Sequence, residues 1–108
     1  MLIMIDKTTI ANIVIRIAKS VNPDKIYLFG SYANGHANED SDIDLLVVKE
    51  SSEPKYIRRI EIQRLLIGSK LPVDIVVYTN DEFEKEKTTP YSFVNSAIQE
   101  AKLMYERK

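Results

Sequence analysis

Ile10, Ile13, Val14, Ile17, Ala18 and Val21 recur at helical spacing and mark one face of an amphipathic helix. Asp6 suits its N-cap, and Asn22-Pro23 suits its end. Lys25–Phe29 then reads as a short apolar strand stopped by Gly30, and Ser31–Asn34 as a helical turn. His36–Ser41 is a polar loop, and Ile43–Val48 is a second strand rich in β-branched residues. After a loop at Ser51–Pro54, Lys55–Ile67 reads as a helix closed by Gly68-Ser69. Its expected apolar stripe is Tyr56, Ile60 and Ile67, with Ile57 and Leu66 on the shoulders and Arg58, Arg59 and Arg64 on a solvated face. Val73–Tyr78 is a third strand, and the charged segment Asn80–Thr88 is a short helix or loop. Thr89-Pro90 predicts a helix start, with Val94, Ala97, Ile98, Ala101 and Tyr105 on the buried face. The expected order is helix, strand, strand, helix, strand, helix. That order predicts a small α/β (α+β) layer of three strands with helices on one side. The link between the first two strands fits either a hairpin-like connection or a tight crossover.

At 108 residues the chain suits a single domain spanning 1–108. Its formal net charge of -1 offers no bulk field for nucleic acid or a membrane surface, so any nucleotide must be held by a local site. The absence of cysteine excludes disulfides, thiolate nucleophiles and zinc-thiolate sites, and suits a reducing cytoplasm. The opening MLIMIDKTTI lacks the basic region and long apolar run of a signal peptide. No stretch approaches the roughly 20 apolar residues of a membrane span. A soluble, cytoplasmic protein is expected.

Two carboxylates interrupt the second strand's apolar run. Asp42 and Asp44 are two residues apart, so they share a face, about 7 Å from each other. Aspartate is depleted from strands, and two like charges side by side gain nothing. A divalent cation between them reverses the sign of that interaction, and magnesium accepts one or two carboxylates together with phosphate oxygens. Asp74 lies near the start of the third strand. If that strand pairs with the second, Asp74 can share the cation or take a proton from an attacking hydroxyl. Gly30-Ser31 follows a strand and opens a helical turn, where free N–H groups and the hydroxyl can hold phosphate oxygens.

Two patterns fail on inspection. Gly30 to Gly35 has the glycine spacing of a P-loop, but His36-Ala37 stands where lysine and serine or threonine are required. Asp40, Asp42 and Asp44 imitate the start of a calcium loop, but Leu45 replaces its glycine and Ser51 its glutamate. His36, the single histidine, reads as a solvated loop residue. Ser31 has no histidine base and is a poor nucleophile.

Gly30-Ser31, a ten-residue gap and Asp42-x-Asp44 together resemble the minimal nucleotidyltransferases of the polymerase-beta-like superfamily. The words Tyr27-Leu28-Phe29-Gly30-Ser31 and Ser41-Asp42-Ile43-Asp44-Leu45, the later strand with Asp74, and the terminal Leu103-Met104-Tyr105-Glu106 extend the likeness over nearly the whole chain. The resemblance implies a mixed sheet backed by helices. It implies magnesium on Asp42, Asp44 and Asp74, with Gly30 and Ser31 on the triphosphate of ATP. It further implies AMP transfer to a hydroxyl, and a place among antitoxins whose partner, a HEPN-type ribonuclease toxin, is silenced by AMP on a tyrosine. The family often carries arginine where this chain has Asn34. Fuller nucleotidyltransferases add a second domain for the acceptor. Here the acceptor surface is expected from a partner protein or a second copy. A small-molecule nucleotidyltransferase and an antitoxin that acts by contact alone are the alternatives.

Overall fold

The computed structural model describes residues 4–108. Residues 1–3, the start of the segment read above as lacking a leader, lie outside the described residues. Helix α1 (Lys7–Val21) opens as expected, with the Asp6 side chain accepting from the Thr9 N–H, and it ends at Asn22 in the left-handed region, φ 49°. Strand β1 (Lys25–Phe29), the short helix α2 (Ser31–Asn34), strand β2 (Ile43–Val48), helix α3 (Lys55–Leu65) and strand β3 (Val73–Tyr78) follow. Helices α4 (Asn80–Lys87) and α5 (Phe93–Ile98) and strand β4 (Lys102–Glu106) complete the chain.

The sheet has four strands, in the order β3-β2-β1-β4. β1 is antiparallel to β2 and to β4, so the first connection is the hairpin-like one. β2 and β3 are parallel, with α3 as the crossover. β2 is therefore interior, and its run from Leu45 to Val48 is buried on both faces.

Helices cover both faces, not one. Ile43, Leu45, Val47, Ile75 and Val77 pack with α1 and α3 through Ile10, Ile13, Val14, Ile17, Ile62 and Leu66. On the other face Leu46, Val48 and Tyr78 pack with Phe83 of α4 and Val94 of α5. Tyr27 stacks on Phe83 with ring centroids 5.5 Å apart.

The end of the chain departs from expectation. The last helix starts at Phe93, capped by Ser92, whose hydroxyl accepts from the Asn95 N–H. Thr89, Ser92 and Asn95 bond the last carbonyls of α4, at Lys85, Glu86 and Lys87, so these residues close one helix before the next begins. Tyr91 takes φ 66° in that turn. Ala101 and Tyr105 leave the helical pattern, and Tyr105 pairs with Ile26 in β4.

The second departure is the rotation of α3. Its buried residues are Arg58 and Ile62, followed by Leu66, while Tyr56, Ile60 and Ile67 face solvent. Arg58, expected in water, is 9% exposed. Its Nε donates to the Glu53 carbonyl at 2.6 Å, and Nη1 donates to the Val77 carbonyl at 3.3 Å. Nη1 and Nη2 grip the two Glu82 oxygens at 2.7 and 3.3 Å. Glu82 also accepts from the Thr79 N–H, closing the capping box that starts α4. The Arg58 hydrogen bonds hold the Glu82 carboxyl below its ordinary value.

Removing one member of a buried pair strands the other. Arg58→Met is expected to lower the free energy of unfolding by about 2–3 kcal/mol in a urea titration, discounted because Glu82 is partly wet. The loss is expected in full above pH 4.5 and to shrink as Glu82 takes up its proton. Equal stability of variant and parent above that pH would show that the clasp contributes nothing.

Candidate active site

The antiparallel β1–β2 pair brings the end of β1 beside the start of β2, and the parallel β2–β3 pair brings the start of β3 to the same end. The register sets Phe29 opposite Asp44 and Asp44 opposite Asp74. Adjacent strands lie about 4.8 Å apart, and paired residues share a face, so Asp44 and Asp74 stand abreast. They share that face with Leu46, Val48 and Val76, which α4 and α5 cover further along. Asp42 and Asp74 are exposed, and Asp44 is half-buried.

Gly30 is held at φ 72° and ψ -156°, a conformation open almost only to glycine. A Cβ built there would strike the Asp44 carboxylate at Oδ2. The glycine therefore does two things: it turns the chain into α2, and it leaves the volume that Asp44 occupies. The Gly30 carbonyl accepts from the Ala33 and Asn34 N–H groups, which fixes the turn.

Burial, then the charge of Asp74, then that of Asp42 push the Asp44 carboxyl up to about 6. Asp42 and Asp74 are thus close enough for their charges to act on the Asp44 carboxyl. Among the described residues, however, no three acidic, histidine or cysteine side chains already converge as a cation cage. The donor chemistry fits magnesium: hard carboxylate oxygens, with one member whose negative charge is disfavoured until a cation arrives.

Not every candidate gathers at this point. Gly30 lines a cleft of about 450 Å³ with Phe29, Asn34 and Phe93, beside α5. Phe93 meets Phe29 edge to face at 5.4 Å. Ser31 instead lines a cavity of about 720 Å³ near α1 and β4, among Ile5, Ile10, Leu28 and Met104. That cavity is larger but mostly apolar, and neither space is lined by Asp42, Asp44 or Asp74. The acids and the glycine turn, not cavity size, locate the candidate centre. The Asn34 side chain accepts from the His36 N–H, and His36 is exposed, as a loop residue should be. The sequence does not mark Phe93 as a cleft residue, because Thr89-Pro90 predicts the helix start upstream of the one observed. Only the Ser92-x-x-Asn95 cap could have located it.

A carboxyl whose folded value is raised adds stability that is complete below its unfolded value of 3.8 and is withdrawn as pH rises through about 6. Asp44→Asn is expected to melt above the parent at neutral pH without divalent cations, the gap closing as pH falls below that range. A gap independent of pH would place Asp44 away from the other acids.

A family model described as "Nucleotidyltransferase domain" matches residues 8–104. A Methanocaldococcus jannaschii protein, proposed to be a protein adenylyltransferase, is 32% identical over 81 residues, 75% of this chain and 77% of its own length. A chain of a toxin-antitoxin crystal structure with AMP-PNP superposes with a TM-score of 0.62 at 26% identity, covering 91% of this chain and 74% of that one. A chain from the complex of the tri-AMPylated Shewanella oneidensis HEPN toxin with its MNT antitoxin gives a TM-score of 0.53 at 24% identity, over 90% of this chain and 70% of that one. The family match runs from the first turn of α1 into β4 and so takes in the glycine turn and all three acids. The chain belongs to the nucleotidyltransferase domain family, with its polymerase-beta-like fold.

Proposed function

We propose that this chain, acting as one minimal domain, moves AMP from ATP to a tyrosine hydroxyl of a HEPN-type ribonuclease toxin and thereby silences it. The observation that carries the reading is Asp44 and Asp74 abreast, with the Gly30 turn packed on Asp44. The proposed adenylyltransferase activity of the archaeal relative, and the AMP-PNP and the AMPylated toxin of the two structural neighbours, support the choice of nucleotide and acceptor.

In the reaction the acceptor oxygen bonds to the α-phosphorus, the α–β anhydride breaks and pyrophosphate leaves. Magnesium, held by Asp42, Asp44 and Asp74, would neutralise the charge of the triphosphate when bound. The chain's own contributions are positional. Asp74, exposed at the start of an edge strand, is the acid that an incoming hydroxyl can reach, and it orients that hydroxyl or takes its proton. Gly30 and Ser31 present backbone N–H groups at the start of α2 to the phosphates. Asp44, fixed between Phe29 and Asp74, sets where the reacting group sits.

Incubating the toxin with this chain, magnesium and ATP is expected to add whole AMP units to its mass. The Asp42→Ala, Asp44→Ala double variant is expected to add none while keeping the fold. Toxin neutralised by that double variant would favour masking by contact, and AMP found only on small alcohols would favour a small-molecule enzyme. Gly30→Ala should displace the Asp44 carboxylate and slow transfer on the order of 100-fold, read as a fall in kcat. Normal turnover in Gly30→Ala would remove the glycine from the site.

A further inference from the structure

The rotation of α3 leaves an apolar row in water. Tyr56 and Ile60 are 61% and 37% exposed, and Ile67, just past the helix end, continues the row at 77%. At i and i+4, Tyr56 and Ile60 lie on one side of the helix, and Ile67 follows in the turn after it. The arrangement is fixed from below, because Arg58 and Ile62 occupy the buried side and cannot exchange places with the row.

The charges around the row are one-sided. The helix KYIRRIEIQRL carries four basic residues and one acid, in a chain whose net charge is -1. Arg58 is spent on Glu82, and Lys55 lies 3.7 Å from Glu86 and over the Tyr78 ring. Arg59 and Arg64, on opposite flanks of the row, form no ion pair with a described residue. A tyrosine and aliphatic side chains between two unpaired guanidinium groups have the composition of an interface centre.

We infer that this face of α3 docks a partner protein through an apolar helical ridge flanked by aspartate or glutamate. Charge selects that occupant. A second copy of the chain would bring only Glu61 on its own α3 to meet two arginines. A nucleic acid would satisfy the arginines but leave Tyr56, Ile60 and Ile67 against phosphate. The inference rests on the proposal that a protein brings the acceptor hydroxyl, and it assigns the surface that captures that protein.

The probe is a stapled helical peptide with a leucine ridge flanked by glutamates, compared with the same peptide flanked by lysines. The glutamate form is expected to bind about tenfold or more tightly than the lysine form, and to slow hydrogen exchange along α3. Arg59→Glu with Arg64→Glu should reverse the preference, and Tyr56→Ala with Ile67→Ala should weaken both peptides. In transfer assays the Tyr56→Ala, Ile67→Ala variant should raise the KM for the toxin about tenfold or more, with the KM for ATP retained. Equal peptide affinities, protection elsewhere on the chain, or a preference that survives charge reversal would overturn the inference. So would a sedimenting dimer abolished by Tyr56→Ala with Ile67→Ala, or a single-stranded RNA that protects α3 better than the peptide does. A wild-type chain that transfers no AMP to the toxin removes the adenylyltransferase reading, whereas the peptide comparison still decides the docking face.

Discussion

The Arg58–Glu82 clasp ties α3, β3 and α4 to one another. One guanidinium rooted in a helix on one face of the sheet reaches around the edge strand to a carboxylate in a helix on the other. On the way it takes the Val77 carbonyl. This joins two layers that otherwise meet through the sheet and the Lys55–Glu86 pair. It grips one end of β3, whose other end, paired in parallel with β2, carries Asp74 beside Asp44. Burying a guanidinium is expensive in isolation. Here its donors meet a carboxylate and two backbone carbonyls, and Glu82 is already committed to the helix cap. One side chain thus links β3 to a helix on each face of the sheet.

At the opposite end of β3 the balance is reversed. Asp44 and Asp74 stand abreast, and like charges in that position weaken a sheet. Gly30 adds a backbone conformation with no gain in packing. The interior row of Leu45 to Val48, buried on both faces, offsets these costs a few residues away. Stability and chemistry are therefore divided along the same strands: apolar through the middle, carboxylate at one end.

Much of the fold was legible because its signals are local. Asp6, Asn22, the Gly30 turn and the strands at Lys25, Ile43 and Val73 each follow from a few adjacent residues. The acids were legible too, since aspartate inside an apolar strand conflicts with burial. What was hidden depended on distant partners. The α3 stripe has a plausible core period, and only Glu82, in another element, shows why Arg58 displaces it. Val94, Ala97, Ile98, Ala101 and Tyr105 fit a 3.6 period that predicts helix into β4, and pairing with β1 overrides that pattern. Ser31 looked inseparable from Gly30, yet adjacent residues at a helix start point to different sides of the turn.

β4 forms one edge of the sheet. Its register with β1 slips between Ile26 and Tyr27, so Met104 is passed over in the ladder between Tyr105 and Leu103. A slip of this kind bends an edge strand and spoils it as a template, and Lys102 and Glu106 add charge at its ends. The far edge, β3, has its Val77 carbonyl already taken by Arg58. Both margins of the sheet thus resist extension by main-chain pairing, one by irregular spacing and one by an occupied acceptor. Pairing of the main chain with another strand is thereby the less favoured way for this sheet to meet a second molecule.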